Sequence, residues 1–357
     1  MKSLPYYDDL TARQTIKLRE LIKTLPPFAK EFFRAIDSTT QVRTRIAYAY
    51  DLRVFFHFLI DENPAYRNYS VLDFKVSDLD KIESVDLEEY MEYLKVYISE
   101  EQHKHMQNTE QGVFRKMSAL RSFYGYFYKR QLIEKNPTLL VDMPKIREKE
   151  IIRLEADEVA SLLDFVEHGG DHLTGQKLAY YEKTKERDLA IITLLLGTGI
   201  RVSELVGLNI DDVDFRNNGL HLIRKGRKEM TVYFGNEVAD ALEQYIEGSR
   251  KLIIPKEGHE DALFYSMQRR RIGVQAVQNL VKKYAKEVTP HKLRSTYGTA
   301  LYQETDDIYL VAEVLGHSDV NTTRKHYAAM SDTRRRQAAG KVVLRESASH
   351  DVDGQKY

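Results

Sequence analysis

The stretch Leu315-Gly316-His317-Ser318-Asp319-Val320-Asn321-Thr322-Thr323-Arg324-Lys325-His326-Tyr327 decides how the rest of the chain is read. It ends in a tyrosine set among Arg324, Lys325 and His326. A phenol ionises near pH ~10. Phenolate can therefore attack and later leave, so a covalent bond to it can be made and undone. The surrounding cations favour phenolate and attract phosphate. The chain has 23 tyrosines, and packing is the ordinary role for any one of them. Tyr327 is singled out by the residues that precede it.

Working back from that stretch, Pro290-His291-Lys292-Leu293-Arg294 starts a helix and puts His291 and Arg294 on one face. Between Met267 and Ala300 there are eight Lys/Arg (Arg269, Arg270, Arg271, Lys282, Lys283, Lys286, Lys292, Arg294) and one acid, Glu287. That is a local basic surface. Residues 236–253 and 273–286 read as helices. Before them comes strand signal: Val213-Asp214-Phe215, a turn at Asn217-Asn218-Gly219, then 220–223 and 230–234 around the basic turn Arg224-Lys225-Gly226-Arg227-Lys228. The expectation is a small antiparallel sheet with Lys225 at a hairpin tip. A helix over 187–196 stops at Gly197-Thr198-Gly199, and Arg201 follows at the start of a helix over 202–208. A helix over 156–166 opens this half, and 168–176 reads as a polar loop.

The first half is helical as well. An amphipathic stretch over 18–36 is broken by Pro26-Pro27. Helical spacing recurs over 42–60, with Arg43, Arg45 and Arg53 among the apolar positions. Residues 73–101 are acidic and should face away from a polyanion. The segment 112–131 interleaves Arg115, Lys116, Arg121, Lys129 and Arg130 with Phe114, Phe123, Tyr124, Phe127 and Tyr128. Such a helix offers phosphate contacts on one side and core aromatics on the other. Arg43, Arg45, Arg115, Lys116, Arg121, Arg269, Arg270 and Arg271 are the candidate DNA contacts. Asn136-Pro137 closes the module. The domain boundaries expected are 1–146, a linker at 147–153, a second domain at 154–346 and a disordered tail at 347–357.

Composition sets the outer limits. With 357 residues, two domains with adequate cores are expected. Lys+Arg and Asp+Glu balance at 54 each, so nucleic-acid binding must rest on local clustering. The chain has no Cys, which excludes disulfides, thiol nucleophiles and cysteine zinc sites. No signal peptide or spanning apolar run is seen, and a soluble cytoplasmic protein is expected. Gly and Pro are sparse at 18 and 8, which favours a mainly helical fold.

Arg201, Lys225, His291, Arg294, His317 and Tyr327 together describe one task. In-line displacement at a phosphodiester builds charge on the non-bridging oxygens, which two guanidiniums can clamp. An attacking phenol must lose a proton and a leaving sugar oxygen must gain one. With these cations present the chemistry needs no metal or other cofactor. Neither a nucleotide-binding Gly-x-x-x-x-Gly-Lys-Ser/Thr nor a His-Glu-x-x-His motif occurs.

This set resembles the tyrosine recombinase (phage integrase) family. Gly197 to Leu205 looks like its first arginine box and Arg224-Lys225-Gly226 like its hairpin lysine. His291-x-x-Arg294 resembles its His-x-x-Arg box, and Leu315-Gly316-His317 with Tyr327 its last box. The resemblance implies a helical core-binding domain followed by an α-rich catalytic domain with a small antiparallel sheet. It implies that Tyr327 forms a 3′-phosphotyrosyl link and that Arg201 and Arg294 hold the phosphate. His291 would handle the tyrosine proton, Lys225 would protonate the 5′-oxygen, and His317 would bond the phosphate. Glu204 would orient Arg201. Two departures stand out. Tyr327 lies ten residues after His317, where many members have nine, and His326 takes that place; Lys228 is a second hairpin lysine.

Within the family, the lack of a recognisable arm-binding domain argues for the Xer type, and the length and an N-terminal addition look like the single-recombinase XerS type of streptococci and lactococci. That implies chromosome-dimer resolution at a dif-like site, a homotetramer on two duplexes, and the FtsK translocase as activator. An apolar anchor at Val342-Val343-Leu344 would dock on a neighbour. The alternatives are an integrase of a mobile element, a non-catalytic DNA-binding accessory protein, and a type IB topoisomerase.

Overall fold

Pro26 and Pro27 do break the first amphipathic stretch: α1 runs over Tyr6–Ile22 and α2 over Ala29–Ala35. The computed structural model describes residues 6–99, 104–146, 153–224, 228–317 and Val320. The chain divides into two compact units, Met1–Lys149 and Glu150–Tyr357.

In the first unit, α3 (Val42–Glu62) and α5 (Glu110–Lys129) form the centre. On α3, Leu52, Phe55, Phe56 and Leu59 are buried, and on α5 Leu120, Phe123, Tyr124 and Phe127. Both sets follow the 3.6-residue period that aligns one helical face with a core. Phe123 sits 5.2 Å from Phe32, 6.2 Å from Phe56 and 5.0 Å from Phe127, centroid to centroid. Burying each such ring is worth ~2–3 kcal/mol.

The acidic segment does more than face solvent. Asp73, Asp78 and Asp86 reach back to the backbone N–H of Ser70, Lys75 and Glu83 at 2.7, 2.8 and 2.8 Å. They cap two 3-10 turns and α4 (Ser84–Tyr93). Asp80 accepts from the N–H of Glu134 and Lys135, at 2.7 and 3.1 Å. The segment also runs into a hairpin that was not expected, β1 (Val96–Ser99) paired antiparallel with β2 (Lys104–Gln107).

The second unit is built on α7 (Gly175–Thr198), which packs against α6 (Ala156–His168), α9 (Asn236–Tyr245) and α11 (Pro290–Thr305). The expected polar loop ends earlier than read, because 175–186 is helical. Tyr181, Thr184, Arg187 and Asp188 occupy its buried face, and the polar members of that face mask the helical period. Arg187 Nε and Nη2 bond Asp188 Oδ1 at 3.0 and 2.6 Å. Tyr284 of α10 (Val274–Tyr284) donates to Asp188 Oδ2 at 3.0 Å.

The sheet has the expected topology. β3 (Val213–Asp214), β4 (Gly219–Ile223) and β5 (Glu229–Tyr233) lie in order β3-β4-β5, antiparallel, with Leu222 opposite Met230 and Ile223 opposite Glu229. Leu220, Leu222 and Val232 point inward. The helix expected over 236–253 is shorter: α9 stops at Tyr245, and Gly248 leaves helical geometry in the turn beyond. A short helix, α8 (Val202–Leu205), and a last one, α12 (Ile308–Leu315), complete the described unit. Among the described residues no helix is long and apolar enough to cross a membrane.

Candidate active site

Two glycines at helix ends shape the site. Gly199 ends α7 with φ +61°, a left-handed conformation that a Cβ disfavours. A Cβ there would stand 2.8 Å from Leu315 Cδ2 and overlap the Tyr297 ring. Gly316 ends α12 with φ +62° in the same way. The carbonyls at such an end have no intrahelical partner and carry the negative end of the helix dipole. Arginines take them up.

Arg201 is the N-cap of α8. Glu204, at the third helical position, accepts from the Arg201 backbone N–H at 2.8 Å and from Arg201 Nη1 at 2.9 Å. Arg201 Nη2 then donates to the Gly316 carbonyl at 3.1 Å. Arg294, buried at 4% exposure, donates Nη2 to the Leu315 carbonyl and Nη1 to the Gly199 carbonyl. The two guanidiniums therefore meet at one turn, although their segments are far apart in sequence. The Arg201 side chain keeps 38% of its surface open, and Glu204 keeps 5%.

His291 and Arg294 lie in the first turn of α11, where Thr289 caps by accepting from Lys292 N at 3.3 Å. His291 is exposed, and its carbonyl accepts from Ser295 Oγ at 3.1 Å. The His317 N–H donates to the Ala312 carbonyl at 2.9 Å, which holds the residue directly after the Gly316 turn. The structure thus brings Arg201, Arg294 and His317 to the end of α12. Lys225, Tyr327, His326, the 342–344 anchor, linker residues 147–152 and the 347–357 tail lie outside the described residues. The hairpin that carries Lys225 is closed by Arg224 N–H donating to Lys228 O at 2.8 Å. Lys228 is exposed.

The eight candidate DNA contacts divide. Arg43, Arg269 and Arg270 are exposed. Arg115 bonds the buried Asp51 while its own side chain stays 49% open. Arg45 pairs with Asp37. The remaining three bond within the protein. Lys116 is buried and donates to Asn108 Oδ1 at 2.9 Å, close to Asp51. Arg121 donates to the carbonyls of Thr138 and Val141 at 3.1 and 2.7 Å. Arg271 bonds the Leu208 carbonyl at 2.6 Å and the Asn209 side chain. These three groups satisfy acceptors within their own units, Lys116 from a buried position and Arg121 and Arg271 from half-buried ones. Burial pushes the Asp51 carboxyl up to about 6, against the pull of Arg115 and Lys116.

Sequence reading missed Arg224. It looked like one more cation of a basic turn, yet its side chain is 8% exposed. Nothing in its local sequence marks that burial.

Residues 152–334 match the phage integrase family model. The chain is 36% identical over 353 residues to tyrosine recombinase XerC of Caldanaerobacter subterraneus subsp. tengcongensis, across 93% of this chain and 91% of that protein. It is 30% identical over 295 residues to tyrosine recombinase XerD of Oceanobacillus iheyensis, across 77% and 92%. Among solved structures, the XerH site-specific recombinase bound to its difH substrate before cleavage shares the fold at TM-score 0.57 and 20% identity, covering 88% of this chain and 83% of that one. The Tn1549 transposon integrase in complex with circular intermediate DNA does so at TM-score 0.60 and 20% identity, covering 86% and 97%. The chain belongs to the phage integrase family, the tyrosine recombinases, enzymes that cleave and rejoin DNA. Its similarity to XerC and XerD runs through both units.

Proposed function

We propose that the chain is a Xer-type site-specific recombinase that resolves chromosome dimers at a dif-like site. The observation that carries this reading is the meeting of Arg201 and Arg294 at the Leu315–Gly316 carbonyls, with Glu204 aligning Arg201. Arg201 is fixed by Glu204 and the Gly316 carbonyl while 38% of its side chain stays open, so it can meet a phosphate oxygen without further reorganisation, and Arg294, fixed beside it, adds positive charge at the same place.

In this reading the Tyr327 phenolic oxygen attacks the scissile phosphorus in line. His291 receives the phenolic proton, the bond from phosphorus to the 5′-oxygen breaks, and Lys225 gives that oxygen a proton. Arg201 and Arg294 balance the charge that grows on the non-bridging oxygens, and His317 bonds one of them. The 3′-phosphotyrosyl link keeps the bond energy for rejoining to another strand. Residues 1–146 form the core-binding domain, 147–153 the linker and 154–346 the catalytic domain.

The finer assignment is the single-recombinase XerS type, working in the cytoplasm as a homotetramer on two duplexes, with FtsK as activator. The helix α1, which precedes the helices at the centre of the first unit, supports it. The test is a plasmid carrying two directly repeated candidate sites, incubated with the chain with and without the translocase. Excision dependent on both sites is expected. Relaxation of a plasmid that carries no site would instead favour a topoisomerase, and binding without any strand breakage an accessory protein.

A further inference from the structure

An arginine in a basic hairpin turn is expected to extend into solvent. Arg224 instead folds back and reaches the end of α12. Its Nη2 donates to the Val314 carbonyl at 2.6 Å and its Nη1 to the Glu313 carbonyl at 3.3 Å. Its Nε lies 3.8 Å from Glu204 Oε1 and has no hydrogen-bond partner among the described residues. Gly316 makes room for this path, because a Cβ there would overlap the Arg224 guanidinium.

The carbonyls at the end of α12 are thereby divided among three guanidiniums. Arg224 takes Glu313 and Val314, Arg294 takes Leu315 and Arg201 takes Gly316. Glu204 stands between two of them, bonded to Arg201 at 2.9 Å and near Arg224 at 3.8 Å. Arg224 is thus tied at once to the base of the β4–β5 hairpin, to the turn that carries Gly316 and His317, and to the carboxylate that orients Arg201.

We propose that Arg224 is a positioning residue for strand cleavage. It clamps the Gly316–His317 turn to the base of the hairpin and, through Glu204, aims the Arg201 guanidinium at the scissile phosphate. Its two Nη groups are committed to protein carbonyls and its Nε lies 3.8 Å from Glu204, so its effect passes through Arg201 and His317 and not through contact with DNA. This inference rests on the function proposed above.

The test uses the full chain with Arg224→Ala and Arg224→Lys. Single-turnover cleavage of a nicked DNA duplex at saturating protein is measured beside gel-shift affinity and thermal melting. Affinity within about twofold of wild type is expected, with cleavage by Arg224→Ala slower by about 10- to 100-fold, the scale of a misaligned reacting group. Arg224→Lys, with charge but no fork, should fall between the two. In an Arg201→Lys background, Arg224→Ala should add little, because both changes act on one route. A merely structural role would give losses that add in full and would lower melting and binding together. Cleavage by Arg224→Ala within about twofold of wild type, or fully additive losses, would overturn the proposal. Should Arg224→Ala not fold, Arg224→Lys carries the same comparison, and wild-type cleavage by it would overturn the proposal. A wild-type chain that forms no covalent product would overturn both this inference and the function it rests on.

Discussion

Arg294 and Arg201 hold adjacent carbonyls at one helix end. Arg294 donates to Leu315 and Arg201 to Gly316, the latter at 3.1 Å. Arg294 also donates to Gly199, two residues before Arg201, so the α7–α8 turn and the α12 turn are laced to one α11 side chain. Any change that moves one of these turns should move both guanidiniums.

Glu204 is the first place to break that lacing. Its carboxylate is buried at 4% exposure and is the paired anion of Arg201. Glu204→Ala leaves positive charge without its partner and removes the N–H cap, a combination expected to destabilise the chain by ~3 kcal/mol. Glu204→Gln keeps the shape and a capping oxygen. It should melt closer to wild type yet cleave about 10-fold slower, since charge-assisted alignment of Arg201 is weakened. Equal cleavage by Glu204→Gln and wild type would remove the carboxylate from the account.

Gly199→Ala should be costly without touching any charged group. Left-handed backbone with a Cβ costs ~1–2 kcal/mol, and the overlap with Tyr297 adds to it. Chemical denaturation should show a loss of at least ~2 kcal/mol, with cleavage reduced further than stability alone explains. An alanine variant of wild-type stability would mean the turn is not held as described.

Asp51 gives a pH signature in the first unit. Burial penalises the carboxylate and pushes its pKa up to about 6, above the ordinary aspartate value of ~3.9. A raised folded pKa means that the stability it contributes is complete below the unfolded value and is lost as pH rises through about 6. Across that window the loss amounts to up to about 3 kcal/mol. Between those two pH values wild type should therefore lose stability relative to Asp51→Asn, which cannot titrate. Parallel denaturation curves for the two proteins across that window would contradict the burial of this carboxyl.

The basic residues separate by salt dependence. Arg43→Ala should lower DNA affinity and reduce the slope of log affinity against log salt by about 1, as expected for one lost phosphate contact. Lys116→Met should leave that slope unchanged and lower stability, because the ammonium is buried against Asn108 and Asp51. A slope change in Lys116→Met of the same size as in Arg43→Ala would return Lys116 to the DNA surface.

The sequence reading and the structure agree most where local signals are strong and short-ranged. Gly197-Thr198-Gly199 marked a helix end, which Gly199 closes in a left-handed conformation, and Asn217-Asn218-Gly219 marked the β3–β4 turn. Agreement fails where a polar residue is used internally. The helix was expected to begin at 187, yet α7 begins at Gly175, and the buried Thr184 interrupts the apolar period ahead of the expected start. The acceptors that Lys116, Arg121 and Arg271 bond were likewise not legible, because folding brings those segments near. Arg224 belongs with them: its acceptors at 313 and 314 are 89 and 90 residues away in sequence. No periodicity in a single chain encodes such a pairing.

The measurement that tests the central claim most directly is covalent trapping. A DNA duplex carrying the candidate site is nicked so that the cleaved end diffuses away, and wild type is compared with Tyr327→Phe on a denaturing gel. The account predicts a protein–DNA band with wild type and none with Tyr327→Phe, both proteins binding the duplex equally. A band of equal strength from Tyr327→Phe would place the nucleophile elsewhere and contradict the account.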